Sequence, residues 1–250
     1  MNDFSKEMLD HTAHRAWPVP EGAWFMTQTW SDLLFAHWPI DAGVLRPMVP
    51  RAFELDVFEG QAWIAVVPFL MSNVAPRFVP ALPGVSEFPE LNIRTYVRVA
   101  DKPGVFFFSL DADSALAVGG ARTLFNLPYY RADMTIARSG GDVQYRTRRL
   151  SAPHPEFTAT YRGLGDERVA AAGTLEHFLT ERYCFYALNH REIPYRLEIH
   201  HLPWPLESAT ADITCNTMAE AAGIRLPDVA PLLHFAKRLD VIAWPPHTLT

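Results

Sequence analysis

A chain of 250 residues, 49% hydrophobic and 20% charged, carries enough apolar material for a buried core, which excludes disorder and a disulfide-held miniprotein. Its formal charge of −6 argues against a nucleic-acid partner, since such binding needs a sustained basic footprint. The one basic run, Arg146, Arg148 and Arg149, alternates with Tyr145 and Thr147 as on the solvated face of a strand.

Residues 1–20 hold Asp3, Lys6, Glu7, Asp10 and Arg15 with no apolar centre, unlike a secretory leader, and are expected to form a loose arm. No window reaches the roughly 18 apolar residues of a membrane helix, so a cytoplasmic protein without a membrane partner is expected. Prolines and two-to-four-residue turn signals then punctuate short runs of β-branched and aromatic residues, a strand-rich pattern. Asp41 is placed to cap a short helix running to Val49 and stopped by Pro50. Residues 55–58 and 62–67 predict a hairpin about Glu59-Gly60. Residues 91–99 and 105–110 predict a second about residues 101–104. Residues 114–125 predict a helix despite Gly119-Gly120. Residues 130–137 and 143–149 predict a third hairpin about residues 139–142. Strands follow at 156–162, 182–188, 195–201 and 239–244, with a helical turn or two at 174–180. The longest predicted helix spans 207–222, with Gly223 at its C′ position. Nothing resembles a linker, so residues 1–250 are read as one domain.

Along the strand that begins at Glu90, side chains alternate: Leu91, Ile93, Thr95, Val97 and Val99 share one face, and Glu90, Asn92, Arg94, Tyr96 and Arg98 the other. Periodicity alone favours a solvated polar face. Cys184 and Cys215 stand far apart without CxxC spacing and are expected to be free thiols. His200-His201 point to opposite faces of a strand, and His37, His177 and His190 have no metal-ligand spacing, so no metal is expected. Phosphate-loop, GxGxxG and GxSxG motifs are lacking, and no cofactor is expected.

Two segments resemble acetoacetate decarboxylase. Residues Gly120-Ala121-Arg122-Thr123-Leu124-Phe125-Asn126-Leu127-Pro128-Tyr129-Tyr130 are similar to that enzyme's Gly-Arg-Glu-x-x-Gly-x-Pro-Lys-Lys, with Arg122 and Pro128 matching and both lysines replaced by tyrosine. Phe88-Pro89-Glu90-Leu91 looks like its segment carrying an active-site glutamate. Over nearly its full length the chain resembles the bacterial YqjF-like proteins of the same superfamily, through Phe35-Ala36-His37-Trp38-Pro39, residues 175–183 and Ile199-His200-His201-Leu202-Pro203-Trp204-Pro205. The resemblance implies a β-rich α+β fold, a mixed or antiparallel β-barrel or cone with a few flanking helices, and by analogy a homo-oligomer.

It also implies that Glu90 points into a closed lumen, with Arg94 about 6–7 Å away on the same strand face and Arg122 adding a second guanidinium. Arginines there would hold a carboxylate bidentately. Asn92, Tyr96 and Tyr130 join as candidate binding residues, with Glu90 and Tyr129 as candidate acid/base groups. Tyrosine forms no Schiff base, so imine-dependent decarboxylation is disfavoured; any reaction would be an acid/base lyase or isomerase step on a small carbonyl acid. Three readings stay open: a pocket for a small carboxylate or carbonyl compound, an apolar sensing module without chemistry, and a decarboxylase rescued by Lys237.

Overall fold

The computed structural model describes residues 4–81 and 86–249. In chain order these form α1 (Phe4–Asp10), β1 (Met26–Ile40), α2 (Ala42–Leu45), β2 (Glu54–Leu55), β3 (Ala62–Pro76), β4 (Phe88–Val99), β5 (Lys102–Ala112) and α3 (Ala115–Phe125). Then come β6 (Tyr129–Ser139), β7 (Asp142–Arg149), β8 (Glu156–Gly163), α4 (Leu175–Thr180), β9 (Cys184–Leu188), β10 (Pro194–His200), β11 (Leu206–Asn216), α5 (Met218–Ala221), β12 (Leu232–Ala243) and β13 (His247–Thr248).

The strands join in one mixed sheet, ordered β13-β10-β9-β5-β6-β7-β8-β11-β12-β1-β3-β4-β2. Two further pairings, β4 with β5 and β10 with β12, close that sheet on itself twice. One circuit runs through β4, β5, β6, β7, β8, β11, β12, β1 and β3; the other returns from β5 to β12 through β9 and β10. Only β5–β6 and β5–β9 are parallel among the named pairings. The result is a large self-closing sheet rather than a regular barrel.

Strands shared by both circuits are buried on both faces, which explains their near-continuous apolar runs. From β1, Leu34, Ala36 and Trp38 pack with Tyr145, Phe157 and Tyr161 in the wider circuit. Leu33 and Phe35, one residue out of phase, pack with Phe69, Met71 and Trp204 in the narrower one. In β3, Ile64 and Val66 serve the first interior, Ala65 and Val67 the second.

The second and third hairpins form as the sequence indicates, β4–β5 and β6–β7, the latter turning through Gly140 and Gly141 at positive φ. Asp41 caps α2, its Oδ1 accepting from Gly43 N at 2.6 Å. Three expectations are corrected. The segment 207–222 is the strand β11 followed by the single turn α5, because Ala209, Ala211 and Ile213 pack inward while Thr210, Asp212 and Thr214 face solvent. That period of two locks it against β8. The residues before Glu59-Gly60 pair differently, since β2 adds to β4 and only the Phe58–Gln61 bridge remains of the first hairpin.

The N-terminal segment is docked, not loose; its residues 1–3 lie outside the described residues. Met8 and Trp17 are buried. The Arg15 guanidinium donates to Ile199 O at 2.7 Å, faces Glu198 at 3.4 Å and lies 4.6 Å over the Tyr183 ring. His200 Nε2 meets Met8 O at 2.8 Å.

Burial, reinforced by the Arg15 charge and opposed by the Met8 carbonyl, pushes His200 down to about 4. Unfolded histidine titrates near 6.5, so this stability is whole above pH ~6.5 and drains away as pH falls toward 4. The buried His201, His37 and His234 are lowered too and act in the same direction. The histidine contribution to thermal stability is therefore expected to fall between pH 6.5 and 4, so that His200→Gln, compared with the parent at each pH, loses less stability over that window.

Candidate functional site

Glu90, Asn92, Arg94 and Tyr96 share a face of β4 that is not solvated: they are 3%, 5%, 8% and 0% exposed. That face turns into the narrower circuit, whose interior it shares with Phe185 of β9 and with Leu197 and Ile199 of β10. Within it lies a cavity of about 300 Å³, walled mainly by apolar side chains, among them Trp30, Phe69, Phe88, Phe107, Phe185 and Trp204. Glu90, Asn92, Arg94, Tyr129 and Arg182 are among its few polar groups.

One wall is α3. Ser114 caps it, accepting from Ala117 N at 3.2 Å, and Asn126 ends it in the left-handed conformation with its Nδ2 donating to Leu188 O at 2.9 Å. The Tyr195 hydroxyl binds the Phe125 carbonyl. Between these anchors sit Gly119 and Gly120, at each of which an added Cβ would meet nothing within 4 Å. No close approach demands these glycines, and together they cost the helix roughly 2 kcal/mol relative to alanine. Leu116 and Leu124 line the cavity yet remain 71% and 73% exposed, so α3 stands at its edge.

Near α3, the Tyr129 hydroxyl donates to Glu90 Oε2 at 2.8 Å. Burial, with the Asp111 charge adding to it and the Tyr129 hydrogen bond opposing, pushes the Glu90 carboxyl up to about 8. At neutral pH it is mostly a neutral acid that can donate a proton. Burial and the neighbouring Glu90 hold the Tyr129 phenol well above its ordinary range, so it too is a donor. Tyr145 donates to the Glu90 carbonyl at 2.7 Å and fixes the backbone beneath.

Arg94 lies farther along the strand, its guanidinium 5.2 Å over the Phe35 ring. Among the described residues no carboxylate stands within ion-pairing distance of it. The neighbouring Arg182 differs: it pairs with Asp56 at 2.6 Å and packs on the Phe178 and Tyr96 rings at 4.2 and 4.9 Å. Arg94 is thus the cavity's uncompensated cation.

The remaining sequence candidates fall elsewhere. Four residues, not two, separate Glu90 from Arg94, so these positions stand about 13 Å apart along the strand, not 6–7 Å. Tyr96 lies beyond the cavity wall, its hydroxyl 2.6 Å from His37 Nε2 and donating to Leu179 O at 2.9 Å. Tyr130, next after Tyr129, points to the opposite face and packs 3.7 Å under Arg149, which grips Asp111 with two 2.7 Å hydrogen bonds. Arg122 is exposed beside an open cleft with Thr123 and His190. It neither pairs with Glu90 nor joins the cavity, because α3 turns Ala117, Gly120, Ala121 and Leu124 inward instead. Lys237 is exposed on β12, Lys6 is exposed, and Lys102 sits 3.5 Å from Glu198, so Lys237 is not brought to the cavity as its rescue of imine chemistry requires. Among the described residues no three His, Cys, Asp or Glu side chains gather to hold a metal ion. Arg182 and Trp204 stand in the segments that carry the resemblance, yet the sequence does not place them at the site, because nothing local marks them as neighbours of β4.

The self-closing sheet with this cavity is the acetoacetate-decarboxylase-like fold. Acetoacetate decarboxylase from Legionella pneumophila superposes with a TM-score of 0.59 at 12% identity, covering 94% of this chain and 93% of that one. An acetoacetate-decarboxylase-like enzyme from Sphingomonas wittichii RW1 gives 0.60 at 14% identity, over 95% and 98%. The enduracididine biosynthesis enzyme MppR, solved with pyruvate, gives 0.60 at 10% identity, over 95% and 93%. Within that fold the chain belongs to the DUF2071 family, described as an uncharacterised conserved protein, whose profile matches residues 27–240. It is 48% identical over 227 residues to the uncharacterised protein YqjF of Bacillus subtilis, spanning 91% of this chain and 93% of that one.

Two outcomes follow from this geometry. Glu90 folds with its acid near 8 against 4.5 when free, so its contribution is whole below pH ~4.5 and lost as pH rises through 8. Glu90→Gln escapes that loss: its stability advantage over the parent should grow from pH 4.5 to 8, reach a few kcal/mol and then level off in denaturant titrations. Gly119→Ala, adding a methyl group to open space in a helix, should raise stability by up to ~1 kcal/mol in the same assay.

Proposed function

We propose that the cavity binds a small carboxylate or carbonyl compound, with Arg94 holding the anionic group and the neutral acid Glu90, paired with Tyr129, acting as hydrogen-bond donor at the other pole. The observation that carries this reading is the lone guanidinium of Arg94: a buried charge in a largely apolar enclosure is costly unless something of opposite sign meets it. Where turnover occurs, Glu90 is placed to give or take a proton in a lyase- or isomerase-type step. No imine step enters, since none of the three lysines lines the cavity. The pyruvate bound to MppR is that protein's own ligand, and supports a carbonyl acid here only by shared fold.

The aromatic wall favours a second reading, a binding module for an apolar compound without chemistry. One experiment separates the two. Thermal unfolding of wild type and Arg94→Ala is followed with panels of keto acids, simple carboxylates and neutral apolar carbonyls, each variant compared with its own ligand-free state. A ligand at a hundred times its dissociation constant adds about 2.7 kcal/mol, several degrees for this chain. Acids are expected to stabilise wild type and to lose that effect in Arg94→Ala. Stabilisation only by neutral apolar compounds, equal in both proteins, would establish the module without an anion site.

A further inference from the structure

The ligand-binding reading leaves open what shape of acid the cavity suits, and the separation of its two poles bears on that. Arg94 stands beside Ala65 of β3 and Phe107 of β5, whereas Glu90 stands beside Phe69 and Ala112. Four extended residues separate them, about 13 Å. Glu90, with Tyr129, lies at the end covered by α3, which begins three residues after Ala112. Arg94 lies at the far end, against Phe35. Between the poles the lining that β3, β4 and β5 supply is apolar apart from Asn92, with Val67, Phe69 and Phe107 contributing. A three-carbon keto acid with its carboxylate on Arg94 leaves the Glu90 acid, whose Oε2 already accepts from Tyr129, without an acceptor for its own proton.

We infer that the cavity is built for an elongated acid with two polar ends: a carboxylate at Arg94, a distal carbonyl or hydroxyl oxygen at the Glu90–Tyr129 pair, and an apolar body between. This rests on the proposal that Arg94 holds the carboxylate. If the tips stand as far apart as the strand positions, a hydrogen bond at each end leaves roughly 7 Å for the ligand, about six bonds of extended chain. A cavity of about 300 Å³ is at the small end of ligand sites and suits a molecule of that length.

The test uses the full chain and three probes: pyruvate, octanoate and 7-oxooctanoate, the last being octanoate with a distal ketone. Affinities are measured by calorimetry on wild type, Arg94→Ala, Glu90→Leu and Tyr129→Phe. Tyr129→Phe removes a single hydroxyl and reports on the same pole should Glu90→Leu fold poorly. The expected result is 7-oxooctanoate binding wild type about tenfold tighter than octanoate, an advantage abolished in Glu90→Leu and reduced in Tyr129→Phe. Both long acids should lose affinity in Arg94→Ala. Equal affinity for the two long acids, still dependent on Arg94, would overturn the two-pole ligand and leave the Arg94 anchor standing. Pyruvate binding that depends on both Arg94 and Glu90 would overturn it as well. Binding of all three acids indifferent to Arg94→Ala would remove the anchor itself.

Discussion

A strand with an interior on each side has no solvated face on which to leave a polar residue. Five strands of this protein are in that position, because the two closures of the sheet share β12, β1, β3, β4 and β5. Through their middle stretches the side chains belong to one interior or the other, and a charged one there must find a partner or an enclosure; Lys237 and Arg238 of β12 are exposed exceptions. On β4 the odd residues Leu91 and Ile93 are fully buried in the wider circuit, while Glu90, Asn92 and Arg94 are held inside the narrower one. The cavity exists because that second interior is not filled.

Two neighbouring carboxylates show how differently the fold treats buried charge. Asp111 on β5 and Glu90 on β4 are both buried. Asp111 is clasped by the Arg149 guanidinium, itself covered by the Tyr130 ring, and so belongs to a closed structural unit. Glu90 receives a phenol instead of a cation, and its acid is left neutral and reactive toward bases. The arginines divide in the same way, with Arg182 neutralised by Asp56 and Arg94 left without a carboxylate among the described residues. A polar group kept without its natural counterpart lowers stability, and such retention concentrates at sites that bind or react.

Much of the local structure was legible because it depends on neighbours in sequence. The caps Asp41 and Ser114, the hairpin at Gly140-Gly141 and the alternation on β4 need only a few adjacent residues to be read. What escaped depends on partners distant in the chain. The alanine-rich segment after Leu206 has helical propensity, and only its pairing with β8 makes it a strand. Periodicity favoured solvent for the polar face of β4; the family resemblance placed it inside, where burial confirms it. The resemblance carried Tyr129 to the cavity but carried Arg122 there too. One turn of α3 decides otherwise, a rotation that the motif's spacing does not encode.

Between the two interiors the partition is a single layer of peptide. Val66, Leu91 and Ile93 never touch the cavity, yet their packing sets where its wall stands. Interiors packed as densely as crystals transmit displacement instead of absorbing it. Bulk exchanged on the filled side is therefore felt as a change of room on the hollow side. Two descendants of this sequence can keep identical linings and still select ligands of different girth, the difference being written in residues that a list of contacts would omit.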